Sequence, residues 1–306
     1  MKRTRRVVSL LPSATEIVCA VGAADQLVGI SHECDFPDHI RDRPVLTRSR
    51  ISPDGSSRAI DASVRALVRD ALSVYEVDQE RLARLAPDLI VTQDLCDVCA
   101  VSLDDVRAAV AGLGCEQVSI LSLRPTRLAD VLGDIGRVAS ALDRAGEGRA
   151  LRSQLKRRID AIASRAAGAL ARPRVASVEW IDPFMLGGTW MPELIELAGG
   201  TAIGVEAGQP ARAIDPAELA ALEPDLIVVK PCGFTMERAM CERDAIERAI
   251  AHPARRARVV VTDGSAFFNR PGPRLVESLE IMAASVHPQR FLDLATRHAH
   301  VMTWLS

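Results

Sequence analysis

The chain has 306 residues, 48% hydrophobic and 25% charged, with 38 Lys and Arg against 40 Asp and Glu for a net charge of −2. That balance excludes the basic footprint of a nucleic-acid or anionic-membrane binder, and the arginines are interspersed with acids as on solvated helix faces. Aromatic residues make up only 3%, so each one is informative.

The opening stretch, MKRTRRVVSLLPSATEIVCAVGAA, imitates a signal peptide, with a basic start followed by apolar residues. Pro12 and Glu16 interrupt the apolar run, and the segment reads instead as a strand (RVVSLL), a turn and a helix capped by Ser13 or Thr15. No run of about 18 apolar residues follows, so no membrane span is expected. The expectation is a cytoplasmic protein whose seven cysteines are mostly reduced, so that pairs among them point to metal or redox chemistry rather than structural disulfides.

LVGIS reads as a second strand, emptying into HECDFPDH. VDQERLARLAP is an amphipathic helix feeding the strand DLIVTQ, which ends in the loop DLCDVC. A helix (SLDDVRAAVAGLG) and a strand (CEQVSIL) follow. This order predicts an α/β fold with mostly parallel sheets covered by helices. Residues 126–170 keep a helical period throughout and predict one long helix or two collinear ones. Strand–helix alternation resumes at RPRVASVEW and runs to RVVVTD and a last helix, RLVESLEIMAAS.

An internal echo supports two related halves. VDQERLARLAPDLIV (77–91) matches IDPAELAALEPDLIV (214–228), and RVVSL and RVASV open the two halves. The expected organisation is an N-terminal α/β lobe (1–125), a bridging helix (126–170) and a C-terminal α/β lobe (171–306).

In this order, SLLPSATEIVCAVGAADQLVGIS, LARLAPDLIV, the helical bridge, PELIELAGG and RPGPRLVESLE span nearly the whole chain. Together they resemble the class III substrate-binding proteins of ABC transporters, the iron-complex and cobalamin-binding type, with cobalamin-binding members the nearest likeness. The resemblance implies two Rossmann-like lobes joined by a long helix, with ligand held in a cleft between them. Transporter-serving members carry a secretion signal, so an ABC permease is implied as partner only if the chain is exported. Glu80 and Glu218 are the nearest positional candidates for permease docking.

In open α/β sheets ligands sit beyond the carboxyl ends of strands. Listing those ends gathers Ser13, His32, Cys34, Cys96, Cys99 and Cys232. Thiolates are soft ligands for zinc or an iron–sulfur cluster, and C-x-x-C lets one loop supply two of them. Alternatively, the thiols or His32 can bind a metal already held inside a ligand, such as a corrinoid cobalt or a haem iron. Asp94, Asp97 and Asp104 around the C-x-x-C pair work against a low-pKa redox thiol. Tyr75, Trp180, Trp190 and Phe268 fall in or beside strand-end loops and offer flat faces to a planar ligand, with Arg270 a polar partner for its periphery. Lys230 is a further polar candidate by position, and His298 and His300 form a terminal pair.

No G-x-S-x-G, H-E-x-x-H, P-loop or well-placed G-x-G-x-x-G occurs, and no residue is assigned a catalytic role. Two readings stand open. The leading one is a non-enzymatic binding protein for a tetrapyrrole-like metal complex, a corrinoid such as cobalamin foremost. The other is a cytoplasmic metalloprotein in which Cys34, Cys96, Cys99 and Cys232 hold zinc or an iron–sulfur cluster in the cleft, with a catalytic function left open.

Overall fold

The computed structural model describes residues 4–70, 73–94, 102–111, 118–250 and 257–305. The chain divides into two compact units. One comprises Met1–Gly55, Ala59–Pro125 and Ala129–Ser153, the other Ser56–Arg58, Thr126–Leu128 and Gln154–Ser306.

In chain order, the first half contains β1 (Val7–Ser9), α1 (Pro12–Ala20), β2 (Leu27–Ile30), β3 (Thr47–Ser49), α2 (Ser57–Arg69) and β4 (Tyr75–Val77). It continues through α3 (Gln79–Leu85), β5 (Leu89–Gln93), α4 (Leu103–Ala111), β6 (Ser119–Leu123), α5 (Leu128–Ala141) and α6 (Ala145–Ala167). The sheet of the first unit runs β2-β1-β5-β6 with every pair parallel. β3 and β4 pair separately and antiparallel. The signal-like stretch is therefore an interior strand and its following helix, with Val7 and Val8 wholly buried. Pro12, not a polar cap, starts α1, because its fixed φ suits the first helical position and no side chain caps that end. Leu10, Leu46, Leu82, Ile90 and Val106 fill the core beneath the sheet.

The second half contains β7 (Arg174–Trp180), β8 (Met185–Leu186), α7 (Met191–Leu197), β9 (Thr201–Ala202), β10 (Arg212–Ala213) and α8 (Pro216–Ala221). After these come β11 (Leu226–Val229), α9 (Met236–Met240), α10 (Arg243–Ile250), β12 (Arg258–Thr262), α11 (Leu275–Val286), α12 (Leu292–Arg297) and β13 (Met302–Leu305). Its sheet runs β10-β8-β7-β11-β12-β13, with β9 also on β7. The β7-β11-β12 centre is parallel, and β8, β10 and β13 add antiparallel edges. Every residue of α11 except Glu277 is buried, Ser278, Glu280 and Ser285 included, as expected of a helix packed on all its faces.

The sequence echo is structural. Asp78 caps α3 by accepting the Arg81 N–H at 2.8 Å, and Asp215, 137 positions on, caps α8 by accepting the Glu218 N–H at 2.8 Å. Both turns then pass through left-handed residues at the same offset, Ala86 (φ 39°) and Glu223 (φ 46°).

One expectation needs correction. Residues 126–170 form neither one helix nor two collinear ones. α5 ends at a left-handed Asp143, with the Arg144 N–H donating to the Ala139 carbonyl at 2.7 Å, and the chain turns back. A Cβ on Gly148 would lie 2.4 Å from the Ala139 Cβ, and one on Gly136 would lie 3.1 Å from the Arg152 guanidinium. α5 and the start of α6 are thus an antiparallel pair in close contact. The boundary between the units falls within α6, at Ser153.

Candidate functional site

In the first unit the loops after β1 and β2 carry a layered polar network. Thr15 Oγ1 donates to Ser9 Oγ at 2.8 Å and lies 3.1 Å from the Cys34 sulfur. Since the threonine proton goes to Ser9, the thiol supplies the proton of the second bond. Cys34 is buried and serves as a packed, hydrogen-bonded side chain. Ser13 is also buried, at the start of α1, and its hydroxyl has no hydrogen-bond partner among the described residues.

His32 is fixed differently. Thr47 Oγ1 donates to Ser31 Oγ at 3.0 Å, so its lone pairs accept both the His32 backbone N–H at 3.0 Å and Nδ1–H at 2.7 Å. That arrangement places the ring proton on Nδ1 and leaves Nε2 with its lone pair. Partial burial lowers the His32 pKa, which favours the neutral ring. Tyr75 flanks it with ring centroids 5.4 Å apart and donates its hydroxyl proton to Glu33 at 3.2 Å. Tyr75 is itself part of the core.

In the second unit the strand ends carry an aromatic pair over a polar floor. Trp180, at the end of β7, packs its half-buried ring on Phe234 with centroids 5.4 Å apart, and Nε1 donates to the Asp182 carbonyl at 3.2 Å. Arg238 lies 4.4 Å over the Phe234 ring. Cys232 follows β11, is half-buried, and its backbone N–H donates to the Glu179 carbonyl at 2.9 Å. Trp190 and Phe268 lie deeper, at 5% and 0% exposure, and Trp190 Nε1 donates to the Phe268 carbonyl at 2.9 Å. Both spend their surface on packing. Arg270 is buried in the loop after β12 and helps lower the pKa of Asp263, which burial nevertheless raises.

Among the described residues no three His, Cys, Asp or Glu side chains come together in a metal-holding group. Cys34 is committed to Thr15, and Cys96 and Cys99 lie outside the described residues. The zinc or iron–sulfur reading, and with it the catalytic alternative, gains no support from the described thiols. His298 is not a surface tail residue: it is buried, with Nε2 2.8 Å from Glu280. Glu33, Thr47, Glu179 and Asn269 belong to no motif in the chain and gain their roles only through the partners the fold brings to them.

The family model described as periplasmic binding protein matches residues 7–262. The chain belongs to the periplasmic binding protein family. Within this family's reach, a vitamin B12-binding protein of Photorhabdus laumondii is 21% identical over 276 residues, 90% of this chain and 85% of that protein. A periplasmic heme binding protein from Pseudomonas aeruginosa superposes with TM-score 0.70 at 19% identity, over 99% of this chain and 95% of that one. The periplasmic vitamin B12 binding protein of Vibrio cholerae gives TM-score 0.63 at 18% identity, over 96% and 98%. These likenesses establish the two-lobed α/β fold of the periplasmic binding proteins, with mostly parallel sheets.

Proposed function

We propose that this protein binds a tetrapyrrole-type metal complex without turning it over, and that its ligand is a corrinoid. The observation that carries the reading is His32. Its Nε2 lone pair is set by the Thr47 bond to Nδ1, the state in which an imidazole binds a metal. A lone neutral histidine is a poor cage for a free ion, which needs three or four protein ligands. It is a sufficient axial ligand for a metal whose other positions are filled by a macrocycle. The half-buried Trp180 face is the proposed aromatic contact in the second unit. Membership of the family and the B12- and heme-binding proteins among its relatives support the class of ligand.

The test is titration of the purified protein with cobalamin, cobinamide and haemin, followed by visible absorption and tryptophan fluorescence. Saturable one-to-one binding of a corrinoid, with a spectral shift lost in His32→Ala, is the expected result. Protein that binds none of the three overturns the proposal. Retention in the cytoplasm belongs to the same proposal and is tested by cell fractionation; recovery in an exported fraction would overturn that part and bring an ABC permease into consideration as partner.

A further inference from the structure

The second unit buries a lysine completely. Lys230, just past β11, is 0% exposed, and its Nζ donates to Glu179 Oε2 at 3.2 Å and to Asn269 Oδ1 at 3.1 Å. Asn269 is held in turn, with Nδ2 donating to the carbonyls of Gly264 at 2.8 Å and Lys230 at 3.3 Å. Taking an ammonium out of water is costly, and what this one secures is the orientation of Glu179. The Glu179 side chain keeps 25% of its surface exposed, and it directly precedes Trp180 at the open end of β7.

Gly187 makes room for this convergence. A Cβ there would sit 3.0 Å from both Glu179 Oε2 and Lys230 Nζ and 3.2 Å from Ser177 Oγ. That serine hydroxyl is buried and has no hydrogen-bond partner among the described residues. Two cations at this strand end already have a resident carboxylate: Lys230 pairs with Glu179 at 3.2 Å and Arg238 with Glu242 at 3.1 Å. A ligand carboxylate arriving here competes with a resident one. An amide N–H or a hydroxyl finds an oriented acceptor.

We propose that Glu179, positioned by Lys230, is a specificity-determining acceptor that selects a ligand periphery of neutral hydrogen-bond donors, primary amides above all, over one of carboxylates. The inference rests on the tetrapyrrole reading and narrows it.

The test compares two dicyano corrinoids with the same ring: cobinamide, whose side chains are amides, and cobyrinic acid, whose side chains are carboxylates. Each is titrated into the full-length protein by tryptophan fluorescence. Wild type is expected to favour cobinamide by about tenfold or more, and Glu179→Gln, whose amide N–H can donate to a ligand carboxylate, is expected to reduce the preference to about threefold or less. If Glu179→Gln fails to fold because Lys230 loses its counter-charge, the Glu179→Gln, Lys230→Gln double variant gives the same readout. Equal affinity in wild type, tighter binding of cobyrinic acid, or a preference unchanged in a folded Glu179 variant would overturn the inference while leaving the tetrapyrrole reading intact. Failure of both corrinoids and of haemin to bind wild type would overturn that reading, and the inference with it.

Discussion

Asp225 Oδ2 accepts the backbone N–H of Arg174 at 2.8 Å, and the Arg174 side chain reaches back to the Leu222 carbonyl, from Nη2 at 2.8 Å. The first unit repeats the device. Asp88 Oδ2 accepts the Arg6 N–H at 2.9 Å, and Arg6 Nε donates to the Leu85 carbonyl at 2.8 Å. In both, the Pro-Asp step that follows a helix clamps the start of the neighbouring parallel strand, at Arg174, the first residue of β7, and at Arg6, the residue just before β1, and the arginine caps the helix's open carbonyls. The register of β1 against β5, and of β7 against β11, starts from these clasps.

Asp225→Ala is therefore expected to destabilise the second unit by about 1–2 kcal/mol, the net worth of a lost hydrogen bond and a loosened strand start. Asp88→Ala should cost a similar amount in the first unit. Urea denaturation with unchanged m-value measures both, and a change below about 0.3 kcal/mol in either would deny the clasp its role.

Much of this fold was readable from the sequence because it rests on local signals. The apolar runs before each strand end, the helix phrases feeding them and the 137-residue echo all report backbone periodicity. The turn at Asp143 escaped the reading because Leu142, Asp143 and Arg144 continue a helical pattern, and a left-handed aspartate is announced by neither Gly nor Pro. The site was less legible. Trp190 and Phe268 look like loop aromatics in one dimension, yet their mutual hydrogen bond and burial are properties of residues 78 positions apart. Glu179 and Lys230, 51 apart, give no sequence sign of being a pair.

The antiparallel α5–α6 contact predicts opposite effects for two alanine substitutions. Gly133 lies inside α5 with nothing near its missing Cβ, so Gly133→Ala should gain up to about 1 kcal/mol through helix propensity. Gly148→Ala carries the same propensity gain, but its Cβ would meet that of Ala139 at 2.4 Å, forcing the helices apart at a cost of about 1–3 kcal/mol. Thermal midpoints that move in opposite directions confirm the packing; two increases would contradict it.

Glu280 sets an acid limit on the second unit. Burial pushes its pKa up, but hydrogen bonds from His298 and Arg158 outweigh that and take it down to about 2. Arg158 also bonds Glu277, and Arg297 approaches Glu280 at 3.2 Å, so α6, α11 and α12 share one ionic network. A carboxyl with a depressed folded-state pKa stabilises the fold above its unfolded value of 4.5 and loses that contribution as pH falls towards 2. The expected loss is about 3 kcal/mol over that window. Glu280→Gln should flatten this part of the stability–pH curve and cost about 1–3 kcal/mol at pH 7, the loss of charge-assisted hydrogen bonds to arginines that keep access to water. A variant whose acid sensitivity matches wild type would remove Glu280 from this account.

Two tryptophans in the second unit separate binding from packing. Trp180 is half-buried, and its ring meets Phe234 at the strand-end surface. Trp180→Ala should weaken corrinoid binding at least tenfold, in line with the loss of an aromatic ligand contact, while shifting stability by less than about 2 kcal/mol because part of the ring already faces solvent. Trp190→Phe keeps a buried ring but leaves the Phe268 carbonyl without its donor, at a cost of about 1–3 kcal/mol in stability. Its effect on affinity, measured well below the unfolding transition, should be less than threefold. Calorimetric binding and denaturant curves on the two variants give all four numbers. Affinity that falls with Trp190 and holds with Trp180 would move the ligand contact from the surface pair to the interior one.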